Sequence, residues 1–436
     1  MRNIPLSPVE FSRRRFLQLA TASATTVGIF GAGISTSGVS TTGMLGSLGL
    51  HAEEVRKQGR ACLVIWLYGA PSQMELWDPK PGTKNGGETK AIQTAVPGIE
   101  IAHFWPEVAK QMRDVALLRT VVGKEAAHER GQYHLQTGRR LTGASRHPAL
   151  GSVVAHELGD PHSDLPNFVT FGRSASADFL GIQYAPFEIT QPGELPEDVA
   201  KLVSDQRLKQ RLELLAEQNL DFAKAGATKL VEERQTLYER ATQMMQSPRL
   251  KAFQLTEESA QTKAAYGDNR FGQGLLVARR LIQQGVPFVQ VARGGWDMHQ
   301  DLYSRMKPLS GEVDQGLSAL ITDLKQSGLL ESTLVVCLGE FGRTPKINAR
   351  GANPGRDHWA RNFGVLLAGS GIRGGQAIGK TSANGQEITD RALSVEDLFQ
   401  TICHALRVDA SKELITPEGR PLKVVDGGER VQELFG

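Results

Sequence analysis

The sequence predicts an α/β fold with a mostly parallel sheet and helices on both of its faces. Three apolar runs, residues 61–68, 287–292 and 333–338, contain no charged side chain and have the length of a β-strand. Such runs are typical of strands that are buried on both faces. Segments with helical spacing, such as residues 309–327, lie between the runs. Strands that alternate with helices predict a parallel sheet with right-handed crossovers.

The remaining elements follow in order along the chain. Residues 115–118, 167–170 and 364–368 are short apolar runs, which predict further strands. Helices are predicted for residues 128–138, 149–158, 271–284 and 395–406. The first of them ends at Gly138, and glycine commonly closes a helix. Residues 371–386 are rich in glycine, which predicts turns.

One stretch differs from the rest in composition. Residues 198–258 are rich in Leu, Lys, Glu, Gln and Arg, with helical periodicity and few β-branched residues. This predicts a helical insertion at about residues 198–265 within a single α/β domain that covers residues 60–430.

Charge and cysteine content limit the class of protein. The formal net charge of the 436 residues is +3, and the first 52 residues, with four Arg and one Glu, account for all of it. A neutral remainder gives no reason to expect a nucleic-acid partner. The three cysteines are too few and too far apart for a disulfide framework.

Residues 1–52 are typical of a twin-arginine export signal. Residues 12–17 read Ser-Arg-Arg-Arg-Phe-Leu, which matches the pattern S-R-R-x-F-L, and an uncharged tract rich in Gly, Ser and Thr follows. The tract is too polar to predict a membrane span. We therefore expect the twin-arginine translocation machinery as a partner and a periplasmic or extracellular mature chain without a stable membrane span. A disordered N-terminus with arginines by chance is the alternative.

Ionisable side chains follow two of the predicted strands. Asp297 and His299 come after the run 287–292, Glu340 comes after the run 333–338, and His358 follows in a polar segment. Because the carboxyl ends of parallel strands meet at one edge of a sheet, we expect these four side chains to converge there. Carboxylate with imidazole is a ligand set for zinc or another transition metal, with calcium and magnesium as alternatives. In the competing interpretation, Asp297 caps the next helix and Glu340 pairs with Arg343.

Four motifs carry a resemblance to a known family. From residues 69, 128, 295 and 339 onward they read Gly-Ala-Pro-Ser-Gln-Met-Glu-Leu-Trp-Asp-Pro-Lys-Pro, His-Glu-Arg-Gly-Gln-Tyr, Gly-Trp-Asp-Met-His and Gly-Glu-Phe-Gly-Arg-Thr-Pro. Together they resemble a bacterial exported family catalogued as domain of unknown function 1501. That family is similar to the alkaline phosphatase and sulfatase superfamily. The resemblance therefore implies an alkaline-phosphatase-like fold and a metal-dependent hydrolase of phosphate or sulfate esters.

The chain departs from that superfamily at three places. The metal-binding Asp that ends the first strand in the superfamily is matched here by Tyr68 or Gly69. An Asp-His pair after a later strand is matched by Glu340 and Phe341. His128 stands at the nucleophile position, where sulfatases carry a modified Cys. The resemblance thus implies either a single remaining metal ion or a rebuilt site.

His128, Arg343 and Arg356 are the candidate catalytic residues. His128 could serve as a ligand, a base or a covalent acceptor, and capping a helix is the alternative. The guanidinium groups of Arg343 and Arg356 suit a clamp on a tetrahedral anion, and surface salt bridges are the alternative. The segment from Cys403 fits the permissive sulfatase pattern C-x-A-x-R, but it lies far downstream in an amphipathic helix, so we expect Cys403 to be part of the core.

These residues and the resemblance predict an exported metal-dependent hydrolase of a sulfate or phosphate ester, with a small-molecule or glycan ester as substrate. The alternative is a relative that has lost catalysis and binds an anionic glycan or assists a partner enzyme. The carboxylate and imidazole residues favour the hydrolase. The missing carboxylate after the first strand and the presence of Phe341 favour the alternative.

Overall fold

The computed structural model describes residues 59–143, 146–199, 204–348 and 353–436. They form two compact units, one of residues 59–195 with 247–436 and a smaller one within residues 196–246. The twin-arginine signal predicted at residues 1–52 lies outside the described residues. Within the described part of the chain, no helix combines the length and the apolar character that a membrane crossing requires.

A central sheet forms the base of the larger unit. The strands of this unit are, in chain order, β1 (Ala61–Tyr68), β2 (Ala91–Gln93), β3 (Glu100–Ala102), β4 (Val115–Val122), β5 (Phe168–Phe171), β6 (Phe187–Glu188), β7 (Phe288–Gly294), β8 (Thr333–Leu338), β9 (Gly342–Arg343), β10 (His358–Trp359), β11 (Phe363–Ala368), β12 (Gln376–Ile378), β13 (Lys380–Thr381), β14 (Ile388–Asp390), β15 (Leu393–Ser394), β16 (Glu413–Ile415) and β17 (Pro421–Lys423).

The central sheet has the strand order β12-β4-β11-β8-β1-β7-β5-β6, and β15 pairs with β4. Neighbouring strands are parallel, except that β11 runs antiparallel to both β4 and β8. The prediction of an α/β fold with a mostly parallel sheet is therefore confirmed. Strands β9 and β10 form a separate antiparallel pair, in which His358 lies opposite Arg343.

Helices cover both faces of the sheet. In chain order the α-helices of the described residues, of which α4 and α5 belong to the smaller unit, are α1 (Pro106–Lys110), α2 (His128–Thr137), α3 (Leu150–Leu158), α4 (Asp205–Phe222), α5 (Thr228–Gln246), α6 (Ala260–Tyr266), α7 (Arg270–Gln283), α8 (Leu302–Gln326) and α9 (Val395–Leu406). A Cβ atom on Gly151 of α3 would meet the ring of Phe288, and one on Gly274 of α7 would meet Val291. Phe288 and Val291 are three apart on β7, so their side chains project from opposite faces, and α3 and α7 pack on opposite sides.

Burial from both sides explains the composition of the central strands. In β1 only Tyr68 is not fully buried, and every residue of β8 is buried. One face of the sheet packs into a core with α3 and α9, whose apolar side includes Leu398 and Cys403. Cys403 is 1% exposed, so the expectation that it is a core residue is confirmed.

The smaller unit contains helices α4 and α5, which contact each other. The Ser204 side chain caps α4 by accepting a hydrogen bond from the backbone N–H of Arg207 at 3.4 Å. The helical geometry breaks at Gly226, where φ is 97°. Both helices lie inside the range of the predicted insertion.

The larger unit brings the ends of three strands together. Strand β1 lies between β7 and β8, and all three are parallel. Tyr68 is opposite Gly294, and Trp66 is opposite Leu338. The segments that follow these strands therefore leave the sheet side by side at its carboxyl edge.

Candidate metal centre

Three side chains from separate elements meet at the carboxyl edge of the sheet. His128 is the first residue of α2, Asp297 follows β7, and His358 lies in β10. One potential ligand atom from each lies within 4.8 Å of the other two. His299, two residues after Asp297, places its Nε2 atom 3.0 Å from Nε2 of His358. Four of the side chains that the sequence singled out are therefore neighbours in space.

The carboxylate of Asp297 is the centre of this cluster. Its Oδ1 atom lies 3.1 Å from Nε2 of His299 and 3.4 Å from Nε2 of His358. Its Oδ2 atom lies 3.4 Å from Nε2 of His128. The Asp297 side chain is 45% exposed, so the cluster is open to solvent on one side. A small ligand can therefore reach it.

The hydrogen bonds on the far side of each ring determine which nitrogen carries the proton. Nδ1 of His128 contacts Glu340 Oε1 at 2.7 Å, Nδ1 of His299 contacts Asp357 Oδ1 at 2.9 Å, and Nδ1 of His358 contacts the Ala126 carbonyl oxygen at 2.7 Å. A carboxylate or a carbonyl oxygen can only accept, so each Nδ1 must donate. In the neutral rings the three Nε2 atoms then present lone pairs toward Asp297.

Lone pairs that converge without a shared proton repel each other, and a cation removes the repulsion. Nε2 of His128 is buried and has no hydrogen-bond partner. The facing Nε2 atoms of His299 and His358 would be two acceptors 3.0 Å apart. Imidazoles whose second nitrogen donates to a carboxylate or a carbonyl are typical metal ligands. The residues present therefore fit a divalent ion, and their nitrogen and oxygen atoms suit zinc or another transition metal.

The charges around the cluster shift the pKa values of its members. The hydrogen bond that His128 donates to the carboxylate of Glu340 raises the pKa of His128. Burial lowers the pKa of His358, which favours the neutral ring that a metal ligand needs. Burial would raise the pKa of Asp297, but the guanidinium group of Arg343 outweighs it and the pKa falls to about 2. Asp297 is therefore ionised at neutral pH.

Glu340 contacts the nitrogen of His128 that points away from Asp297. It is fully buried, and its Oε1 atom accepts hydrogen bonds from His128 Nδ1 and from the backbone N–H of Gly69 at 2.9 Å. Asp297 faces the other nitrogen of the same ring. The imidazole of His128 thus stands between the two carboxylates. Glu340 thus orients His128 through Oε1, while its Oε2 atom is buried without a hydrogen-bond partner. The prediction that Glu340 is a metal ligand stays a prediction.

Arg343 is 1% exposed and lies directly against the cluster. It donates to Asp297 Oδ1, and its Nη1 atom lies 3.4 Å from His299 Nε2. Its other donors bind carbonyl oxygens of Gly69 at 2.6 Å, Ala70 at 2.8 Å and Arg356 at 3.1 Å. Arg343 forms its ion pair with Asp297, whereas the competing interpretation of the sequence pairs it with Glu340.

Arg356 is fully buried and does not reach the cluster. It forms a bidentate ion pair with Glu75, at 2.9 and 2.7 Å, and both side chains have an exposed fraction of 0%. Its remaining N–H groups donate to carbonyl oxygens of Asn85, Thr344 and Pro345. All five N–H groups of Arg356 are engaged, and they connect the loop of Glu75 and Asn85 with the loop of Thr344 and Pro345. No N–H group remains to bind an anion, so this geometry does not support the predicted anion clamp.

Sequence reasoning missed Asp357 and Glu75. Asp357 holds the ring of His299, and its position next to His358 in a polar segment was a usable signal. Glu75 lies within the motif that begins at Gly69, but its pairing with Arg356 connects positions far apart in the chain. Only the three-dimensional structure shows that contact.

The fold and the cluster define an α/β protein with a candidate metal centre at the carboxyl edge of its sheet. The chain belongs to the family described as Protein of unknown function (DUF1501), whose sequence model matches residues 59–435. The resemblance seen in the motifs is therefore confirmed. No curated protein sequence matches the chain.

Several solved structures are similar at low sequence identity. A sulfatase from Pseudoalteromonas sp., PsFucS1, has 12% identity and a TM-score of 0.40, over 83% of this chain and 72% of its own. Phosphonate monoester hydrolase of Agrobacterium radiobacter has 11% identity and a TM-score of 0.35, over 86% of this chain and 77% of its own. The zinc complex of the C-terminal periplasmic domain of EcEptC from Escherichia coli has 10% identity and a TM-score of 0.34, over 84% of this chain and 89% of its own.

Proposed function

We propose that this protein is an exported, metal-dependent hydrolase of a sulfate or phosphate ester carried by a small molecule or a glycan. The observation that supports the proposal most directly is the convergence of three imidazole Nε2 atoms on the carboxylate of Asp297. The family resemblance of the motifs supports the class of substrate. Export through the twin-arginine route rests on residues 1–52 and remains part of the proposal.

In this proposal Asp297, His299 and His358 hold the ion. Their ligand atoms Oδ1, Nε2 and Nε2 lie within 3.4 Å of one another, which is compatible with bonds to one centre. Bound there, a divalent ion would polarise the ester and lower the pKa of a water molecule. Asp357 and the Ala126 carbonyl fix the two rings, so little rearrangement is required on binding.

His128 is the group that moves a proton. Its Nε2 atom faces Oδ2 of Asp297, whereas His299 and His358 face Oδ1. Its Nδ1–H donates to Glu340, which holds the ring and stabilises the imidazolium form. Nε2 can therefore accept a proton from an attacking water and return it to the leaving oxygen. Arg343 adds a positive charge beside the position where negative charge develops in the ester.

The experiment compares the mature protein with Asp297→Asn. Hydrolysis of p-nitrophenyl phosphate and p-nitrocatechol sulfate is measured after metal removal and after addition of zinc, manganese, magnesium or calcium. We expect metal-dependent turnover of one ester class that Asp297→Asn lowers by at least a hundredfold. Asp301→Asn, the same chemical change four residues further along, is the control. A protein that binds an ion and turns over no ester of either class would contradict the hydrolase.

The alternative function is binding of an anionic glycan without turnover. It is favoured by Phe341, whose ring lies 5.1 Å from the ring of His128 and 4.8 Å from that of His358 at a place where a further ligand could stand. Metal-dependent retention of the protein on a sulfated polysaccharide, with no ester hydrolysis, would support this alternative over the enzyme.

A further inference from the structure

We propose that the guanidinium group of Arg343 is a built-in cation of the site, which limits the site to one divalent ion and weakens the affinity for that ion. The inference rests on the proposed function, because it concerns the same metal centre. It goes further by assigning the number of ions and the role of a residue that touches the ligands without being one.

The first argument is position. Arg343 donates to Oδ1 of Asp297, the same oxygen that lies 3.1 Å from His299 Nε2 and 3.4 Å from His358 Nε2. Its Nη1 atom is itself 3.4 Å from His299 Nε2. A divalent ion held by these atoms would lie within a few ångströms of a fixed positive charge. At that separation two like charges repel appreciably even when partly solvated.

The second argument is that the guanidinium group of Arg343 is held in place. Three of the donors of Arg343 bind carbonyl oxygens of Gly69, Ala70 and Arg356 at 2.6 to 3.1 Å. The side chain is 2% exposed. Leaving its place would strand buried carbonyl groups without donors, which is costly. The guanidinium group therefore stays beside Asp297 whether or not an ion is present.

The third argument is that the described surroundings offer few further ligand atoms for a second ion. Gly69 follows β1 at the same edge, but a Cβ atom there would lie 2.5 Å from the backbone nitrogen of Asp297, so no carboxylate fits at that position. Oε1 of Glu340 already accepts hydrogen bonds from His128 and from the N–H of Gly69, which leaves its buried, unpartnered Oε2 atom as the free oxygen of that carboxylate. Phe341 presents an apolar ring to both His128 and His358. The fixed guanidinium group of Arg343 thus places a positive charge where a second ion would find few ligand atoms.

The test is zinc titration of the metal-free protein by calorimetry, with the ion count checked by native mass spectrometry. The wild type should bind one zinc per chain. Arg343→Gln removes the charge and should bind the first zinc at least tenfold more tightly. Arg343→Lys keeps the charge without the planar fork and should stay within about threefold of the wild type. The exposed Arg361, changed to Gln, is the control.

The outcomes separate the two proposals. Two zinc ions on the wild type, or an Arg343→Gln affinity that is unchanged or weaker, would overturn the built-in cation and leave the hydrolase standing. A residue that merely positioned Asp297 would give weaker binding in both variants. If Arg343→Gln does not fold, the number of zinc ions bound by the wild type and the zinc affinity of Arg343→Lys still test the proposal. Absence of any bound zinc would overturn the metal centre itself.

Discussion

The Nε2 atoms of His299 and His358 lie 3.0 Å apart although the partners of both rings place the proton on Nδ1. Two neutral imidazoles in this arrangement face each other with lone pairs, and Asp297 adds a negative charge at 3.1 and 3.4 Å. The larger unit of the fold holds these groups together through two different segments, one with Asp297 and His299 and one with His358. This local repulsion is the physical reason to expect that a cation stabilises the folded protein.

Metal binding should therefore raise stability. With zinc at about one hundred times its Kd, the free energy of unfolding should increase by about 2.7 kcal/mol relative to the metal-free protein. Urea unfolding of the metal-free and zinc-loaded forms, followed by circular dichroism, measures the difference. His358→Ala should abolish the increase, whereas Asp301→Asn should preserve it. An equal increase in the His358→Ala variant would place the zinc elsewhere.

The pH dependence of the metal-free protein should reveal the contact between His128 and Glu340. Because Glu340 raises the pKa of His128, the folded state holds a proton that the unfolded chain releases. This contribution is fully present below the unfolded pKa of about 6.5 and is lost as the pH rises through the higher folded value.

Glu340→Gln removes the cause of that shift and should flatten the decrease in stability above about pH 6.5. Urea unfolding of the metal-free variants between pH 5 and 9 measures it. Glu129→Gln, an exposed carboxylate on the residue after His128, is the matched control and should retain the wild-type slope. An unchanged slope in Glu340→Gln would mean that another group carries the dependence.

Removal of one member of the buried ion pair between Glu75 and Arg356 should strongly destabilise the folded protein. Arg356→Ala leaves a fully buried carboxylate without its cation, so the free energy of unfolding should fall by about 3–5 kcal/mol. Lys110→Ala removes half of an ion pair whose side chains are 66% and 44% exposed, and it should cost less than about 1 kcal/mol. Denaturant unfolding of both variants provides the comparison. A similar decrease in the free energy of unfolding for both variants would mean that burial of the Glu75–Arg356 pair contributes little to stability.

Cys403 should be chemically inert in the folded protein. Burial raises the pKa of its thiol to about 12, so almost no thiolate exists at neutral pH. Iodoacetamide should label it only after unfolding, as peptide mass spectrometry would show. Cys403→Ser should leave turnover nearly intact and lower the free energy of unfolding by about 1–3 kcal/mol. Loss of turnover in a folded Cys403→Ser protein would make Cys403 the nucleophile.

Export should depend on the arginine pair. Changing Arg13 and Arg14 together to Lys should keep the protein in the cytoplasm, because recognition of such a signal requires guanidinium groups rather than charge alone. Cell fractionation with immunoblotting measures the distribution. The Arg2→Lys variant, outside the matching pattern, is the control. Normal export of the double variant would show that residues 12–17 are not a twin-arginine signal.

Much of the fold follows from local sequence patterns. The predicted bounds of β1 and α9 agree with Ala61–Tyr68 and Val395–Leu406. Helix α8 was predicted to begin at residue 309 but begins at Leu302, with Pro308 inside it. Proline removes a helical hydrogen bond and is usually a sign of a boundary. The buried side chains of Leu302, Met306 and Leu309 keep the apolar spacing across it, and packing overrides the local preference.

The candidate site was less predictable. Strand ends indicated the region of Asp297, His299 and Glu340, because parallel strands finish at one edge. They could not show that His128 stands between Asp297 and Glu340. That arrangement depends on how closely α2 approaches the sheet, and Gly131 permits it, since a Cβ atom there would lie 2.8 Å from the ring of Phe341. Such a contact involves residues too distant in sequence for any spacing rule.

The pairing of β1 has a consequence for the order in which the molecule assembles. Ala61, near the start of the described chain, pairs in register with Thr333, and β7 must arrive on the other side of β1. During synthesis β1 therefore remains without its partners β7 and β8 until most of the polypeptide has left the ribosome. His128 and Glu340, which are 212 positions apart, meet only after that. The candidate metal centre at this edge therefore cannot form before the chain has been synthesised as far as His358, and a chain whose folding stops earlier lacks the site.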